Sequence, residues 1–197
     1  MPDLLLASTK RQIDHPVEPI FPNRWSPRAM NGAHITQETL NSLFEAARWA
    51  PSSSNNQPWR FIYALRSSDA WPAFIELLFP NNQTWCKQAA ALILMVSKQT
   101  FENGKPSLTH SFDCGAAWMS LALQGSLLGL VMHGMQGFDY GKAIEVVGLP
   151  DGYSVEAICA VGYPGSAEDL PEALRVRELP SARKSVGEFA FEGKFPA

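Results

Sequence analysis

A chain of 197 residues, 46% hydrophobic and 18% charged, has apolar material for one packed domain spanning 1–197 and too little for two. Its formal charge of −3, with Lys and Arg scattered, excludes the positive field that nucleic acid or an anionic membrane selects, so small molecules are the expected partners. Three widely separated cysteines, Cys86, Cys114 and Cys159, support neither a disulfide framework nor a CxxC metal site, and they fit a reducing cytoplasm.

Residues 1–20 read as an N-terminal extension. Its short apolar patch lacks both a basic region ahead of it and a signal-length core, so secretion is not expected. Ile35 to Ala50 sets Leu40, Leu43, Phe44 and Ala47 on one face at helical spacing, with Thr36 as the cap, Glu38 near the positive end and Pro51 as the stop. Trp59 to Leu65 alternates and is rich in β-formers. Ala89 to Ser97 is a continuous apolar run of strand length, suited to the centre of a sheet. From Thr109 to Leu130 apolar residues occupy nearly every face, which predicts a helix enclosed by protein on all sides and points to an oligomer core. The uncharged run within it, Cys114 to Met132, is interrupted by Gly115, Ser120, Gln124, Gly125, Ser126 and Gly129 and has no basic flank. It therefore reads as a buried helix rather than a membrane span. Leu130 to Met135 and Val155 to Tyr163 are further strands, with a short helix at Tyr140 to Val147 between them. The tail from Leu170 carries prolines but also Phe189, Phe191 and Phe195, which a solvated tail would not need; it is expected to dock, with another subunit as the candidate surface.

The commonest catalytic signatures are missing: no P-loop, GxGxxG turn, GxSxG elbow or HExxH helix occurs. His15, His34, His110 and His133 are scattered and read as surface or core residues, so no metal site is expected. Two polar segments remain. Arg24-Trp25-Ser26-Pro27-Arg28 carries two guanidiniums and a hydroxyl on alternate positions. In an extended chain these point the same way, and the fixed fork of guanidinium donors matches phosphate oxygens. For RxSxR alone, a solvated loop is the commoner reading. Pro51 to Trp59 gathers short donors and acceptors suited to a polar heterocycle or a polyol chain, and composition equally allows a hydrophilic helix-to-strand connection.

The order of these segments carries more than either does. RxSxR, then a helix of about four turns, then APSSSNNQPW and a β-run resembles the start of the nitroreductase family. The resemblance continues through the apolar strand and the long helix to His133-Gly-Met-Gln-Gly-Phe-Asp139, to ICAVGYP ending at Pro164, and to ELPSARKSVGEF ending at Phe189. It implies an α+β fold: a central, mostly antiparallel sheet flanked by helices, the long helix at a homodimer interface, and residues 170–197 docking on the partner subunit. It implies FMN in two interfacial clefts and electron transfer from NADH or NADPH to a small acceptor, a nitro compound, quinone or enal, by a two-step exchange. Arg24, Ser26 and Arg28, with Trp25 between them, would hold the phosphate together with Arg183. Ser52, Ser53, Asn55 and Gln57 would line the ribityl chain and ring, partly from the partner. Asn82 would stand near the pyrimidine edge, and the loop Met135, Gln136, Gly137 would set a backbone N–H opposite flavin N5. No catalytic side chain is implied, because the cofactor performs the redox chemistry. Gly134 stands where the family pattern usually has proline, Gln136 where it has a smaller residue or an acid, Ser185 where it has proline, and Ser181 where some members have lysine. The alternatives are a flavin-storage protein or a relative that uses reduced flavin for dehalogenation or flavin fragmentation. Trp85, Phe112, Trp118, Phe138 and Tyr140 are candidates for the wall over the ring, with the core as the commoner role for each.

Overall fold

The computed structural model describes residues 11–196, so the apolar N-terminal patch lies outside them. In chain order the elements are α1 (Ile20–Asn23), α2 (Gln37–Arg48), β1 (Trp59–Leu65), α3 (Trp71–Leu77), α4 (Pro80–Cys86), β2 (Ala91–Lys98), α5 (His110–Leu127), β3 (Val131–Met135), α6 (Tyr140–Val147), β4 (Tyr153–Gly162) and α7 (Glu172–Arg175). The four strands form one antiparallel sheet in the order β1-β2-β4-β3. Its centre is β2, buried from Ala91 through Ser97, which explains why that run is apolar on both faces rather than alternating.

Helices cover both faces, giving three layers. On one face Leu40, Leu43 and Ala47 of α2 and Ala117, Leu121 and Ala122 of α5 pack on Ile93, Met95, Cys159 and Val161. On the other, Phe74 and Leu77 of α3, Trp85 and Cys86 of α4 and Ala143 of α6 pack on Leu92, Leu94, Ile158 and Ala160. Helix α2 starts where its cap predicts: Thr36 Oγ1 accepts from the Thr39 N–H at 3.1 Å. Helices α3 and α4 lie in a stretch whose sequence shows no clean periodicity, and each opens with a proline, Pro72 and Pro80, whose fixed φ suits a first turn.

Helix α5 is enclosed on one side by its own chain. One stripe, through Cys114, Ala117, Leu121 and Gly125, is buried, while Phe112 is 80% exposed and Met119 and Leu127 are open. A helix laid on a sheet buries one stripe; the rest stays apolar without cover from this chain. The tail behaves alike. Among its described residues only Leu170 and Glu178 are buried, and Phe189, Phe191 and Phe195 remain exposed. Among the described residues no helix is long and apolar enough to cross a membrane.

Candidate functional site

The segment after α1 runs extended along the end of β4. Met30 pairs with Pro164, and the Gly165 N–H donates to Ala29 O at 3.0 Å. Gly165 permits this approach: a Cβ there would lie 2.6 Å from the Met30 backbone. This course turns the side chains of Arg24, Ser26 and Arg28 into a cleft of about 390 Å³, where Arg183 arrives from the tail as the resemblance implies and Trp25 lines the wall. Arg11 and Arg177 join them, and neither was legible as a site residue in the sequence.

Among the described residues five guanidiniums thus converge with one carboxylate as an ion-pair partner. Glu178, 8% exposed, lies 3.5 Å from Arg28 Nη1 and accepts from the backbone N–H of Arg28 and, at 2.8 Å, of Ala29. Five positive charges less one negative leave four uncompensated among the described residues. Arg24 Nη1 donates to Ser26 Oγ at 3.2 Å. Arg11 Nη1 donates to the carbonyls of Pro22 and Arg24, and Arg11 Nε is buried without a partner. Burial first, and then the charge of Arg183, hold the pKa values of Arg11 and Arg24 below the usual guanidinium value, although a guanidinium so shifted stays charged. Such a cluster is stabilised by an anion.

Arg24 and Ser26 also border a second cleft of about 380 Å³, which continues over Met95, Ala157, Trp118 and Ala122 to Gly134, Met135 and Gln136. The two clefts therefore make one site, a cationic end and a more apolar end. Gly134 has a reason here: a Cβ would stand 3.0 Å from the Trp118 ring. Gly134→Ala is expected to push that indole into the cleft, weakening the binding of a bulky ligand there more than that of a small one. Titration with two ligands of different size checks this, and equal changes for both would oppose it.

His133, behind the cationic end, donates from Nδ1 to Pro27 O at 2.9 Å and packs on Trp85 at 4.7 Å between ring centroids. Burial pushes its pKa below the ordinary value, the Pro27 and Ser26 carbonyls and Glu178 opposing, and Arg28 adding to the depression. A histidine depressed in the fold takes up its proton more readily when unfolded. Stability should therefore fall as pH drops below about 6.5. His133→Gln should flatten that limb of a melting-temperature profile; an unchanged slope would mean other groups set it.

The remaining predicted residues lie elsewhere. Ser52, Ser53, Asn55 and Gln57 border neither cleft. Their turn is fixed by Gln57 N–H to Ser52 Oγ at 3.0 Å and Ser53 N–H to Asp113 Oδ2 at 3.1 Å. Ser54, Asn55 and Gln57 have φ of 49°, 54° and 47°, a strained set for non-glycine residues. Asn82 is engaged within the chain: it donates to Gly137 O at 3.0 Å and accepts from Trp85 Nε1 at 3.3 Å, so it braces the loop after β3. Gly137 borders that brace and neither cleft. Trp85 and Phe138 are core residues, Phe112 and Tyr140 are exposed, and Trp118 alone of the five aromatic candidates lines the site. Among the described residues no cluster of His, Cys, Asp or Glu is placed to hold a metal.

Comparison with known proteins agrees with this architecture. The pattern of the family described as "Nitroreductase family" matches residues 22–79. A solved structure described as an oxidoreductase containing FMN shares 47% identity, covers 96% of this chain and 98% of its own, and superposes with a TM-score of 0.93. A Rhodopseudomonas palustris (strain TIE-1) protein bearing an NADH dehydrogenase/NAD(P)H nitroreductase name is 26% identical over 80% of this chain and 89% of its own length. Mouse iodotyrosine deiodinase 1 is 24% identical over 77% of this chain and 63% of its own length. With the RxSxR segment, the strand order and the long α5 all in place, the chain belongs to the nitroreductase family.

Proposed function

We propose that this is an FMN-dependent oxidoreductase that passes electrons from NADH or NADPH to a small acceptor, a nitro compound or quinone, in two alternating half-reactions. The observation that carries this is the cleft in which four uncompensated guanidinium charges adjoin a more apolar hollow. A phosphate monoester carries close to two negative charges at neutral pH. Arg24, Arg28 and Arg183 would grip it with Ser26, and Arg11 offers a buried N–H that has no other partner. Gly134, Met135 and Gln136, with Trp118 and Ala157 opposite, would form the wall against which a flat ring lies. FMN, when bound, supplies hydride transfer at N5; the protein orients the ring and excludes water.

The rest of the predicted set belongs in this reading to a homodimer. The open apolar face of α5 is its core, Ser52, Ser53, Asn55 and Gln57 of one protomer complete the cleft of its partner, and of residues 170–197, whose Arg177, Glu178 and Arg183 stay at this chain's own cleft, the exposed Phe189, Phe191 and Phe195 dock across. Gly137 and Asn82 hold the loop beside the ring.

The test is an absorbance spectrum of the purified protein followed by stepwise anaerobic addition of NADH and NADPH. A flavin spectrum bleached by either nicotinamide, and restored by a quinone, is the expected result. Protein that takes up no FMN, or whose FMN neither nicotinamide bleaches, would sink the proposal; bleaching without restoration by any acceptor would favour a storage protein.

A further inference from the structure

The peptide between Pro27 and Arg28 lies inside the arginine-serine-arginine segment, and both of its polar groups are held from elsewhere in the fold. Its carbonyl accepts from His133 Nδ1 of β3 at 2.9 Å. Its N–H donates to Glu178 Oε1, which also accepts from the Ala29 N–H at 2.8 Å. A carbonyl only accepts, so Nδ1 carries a hydrogen whether the ring is neutral or charged, and Nε2 is the atom that gains or loses a proton. His133 and Glu178 are thus joined through one peptide, a chain of hydrogen bonds that strengthens when the imidazole is charged.

His133 also lines the cationic cleft itself. From the extended segment Arg24 and Arg28 share that cleft with it, from the tail Arg177 and Arg183, and from ahead of α1 Arg11. Glu178 acts on it from the tail and is ion-paired with Arg28 at 3.5 Å. Helix α4 offers the Trp85 ring at 4.7 Å, which has no charge, and β4 offers Cys159, whose thiol burial pushes up and so keeps neutral. Of these side-chain types imidazole alone has an ordinary pKa near neutrality, while guanidinium stays charged throughout. Burial first, with Arg28 adding, disfavours the charged ring against the pull of the Pro27 carbonyl and Glu178. An anion in the cleft opposes the effect of Arg28, because a negative charge within about 4–6 Å favours the protonated form of a base.

We propose that His133 is a proton-linked residue of this anion site: when a phosphate dianion binds in the cleft, His133 takes up a proton and joins the arginines as a further cation. Where that dianion is the phosphate of FMN, the inference rests on the function proposed above; the coupling itself needs only the anion. The step is a protonation. Nε2 accepts a proton from water, Nδ1 keeps its hydrogen on Pro27, and no bond to the anion forms or breaks. The sign follows from linkage. A base whose pKa rises on binding makes affinity highest below its pKa in the anion-free protein, and affinity falls as pH climbs through its pKa in the complex. Each unit between the two is about tenfold in affinity.

Nitrogen-15 NMR titration of His133 in the full chain freed of FMN, once in chloride and once in sulfate at equal ionic strength, reads the coupling directly, since sulfate stays a dianion across neutral pH. The His133 pKa should be higher in sulfate by about one unit. A His133 that does not move while the cleft arginine resonances shift overturns the proposal, and so does sulfate that shifts neither. FMN affinity, from fluorescence quenching, should then rise about tenfold more on going from mildly basic to mildly acidic pH in the wild type than in His133→Asn. That variant's amide can keep the hydrogen bond to Pro27 without titrating, and comparing the two chains cancels the titration of the FMN phosphate. A merely structural His133 would change affinity by the same factor at every pH, and parallel profiles overturn the coupling. The sulfate titration needs no variant. Sulfate that moves His133 in a protein that takes up no FMN would leave the coupling standing and sink the proposed function instead.

Discussion

Arg24→Ala should weaken FMN binding by about 10- to 100-fold, because a hydrogen bond to a charged group is worth about 1.5–3 kcal/mol and each 1.4 kcal/mol is about tenfold. Arg24 is the guanidinium that borders both clefts, so under the proposed function it stands where the phosphate and ring ends would meet. The same substitution should leave the FMN-free protein as stable as before or more so, since it removes a cation that burial and Arg183 already disfavour. Opposite signs in the two states mark a binding residue; a core residue would lower both. Arg24→Lys should fall between, keeping charge without the planar fork. Fluorescence quenching of added FMN and melting of the FMN-free chain measure the pair, and an unchanged FMN affinity would remove the phosphate from this cleft.

Glu178→Ala should destabilise the FMN-free protein by about 3 kcal/mol, since the N–H groups of Arg28 and Ala29 lose their acceptor and a buried, unpaired donor costs about 1–3 kcal/mol. For a chain of this size that is a fall in melting temperature of about 6–12 °C. Glu178→Gln keeps an acceptor oxygen for both N–H groups and should recover most of that loss. It also raises the uncompensated charge of the cleft from four to five, so its FMN affinity should equal or exceed that of the wild type. Calorimetric melting and FMN titration of both variants decide the matter. Equal losses in Ala and Gln variants would mean that the ion pair to Arg28, and not the backbone contacts, holds the segment in place.

Much of the fold was legible because its signals are local. Thr36 caps α2 through a hydroxyl three residues from its donor, and the unbroken apolar run of β2 reports a strand buried on both faces. Helices α3 and α4 were not, since their few turns carry little periodic signal and only Pro72 and Pro80 mark their starts. Arg24, Ser26 and Arg28 were readable as a set because an extended chain places alternate residues together. Arg11, Arg177 and Glu178 were not, for nothing near them in sequence says what they will meet.

The stretch from Pro51 to Trp59 shows the same division. Its composition and its place after α2 point to a polar, ligand-suited turn, and within one chain that turn borders neither cleft. The amino-acid sequence by itself determined α2, the sheet's buried centre and the alternate spacing of Arg24, Ser26 and Arg28, which depend on neighbours a few positions apart, and the order of its segments pointed to the family. Only the tertiary structure decided that five arginines share one cleft, that Glu178 anchors Arg28 from 150 residues away, and that His133 holds the Pro27 carbonyl. These contacts join groups distant along the chain, and their energies, charge convergence and burial, exist only once packing has brought them together.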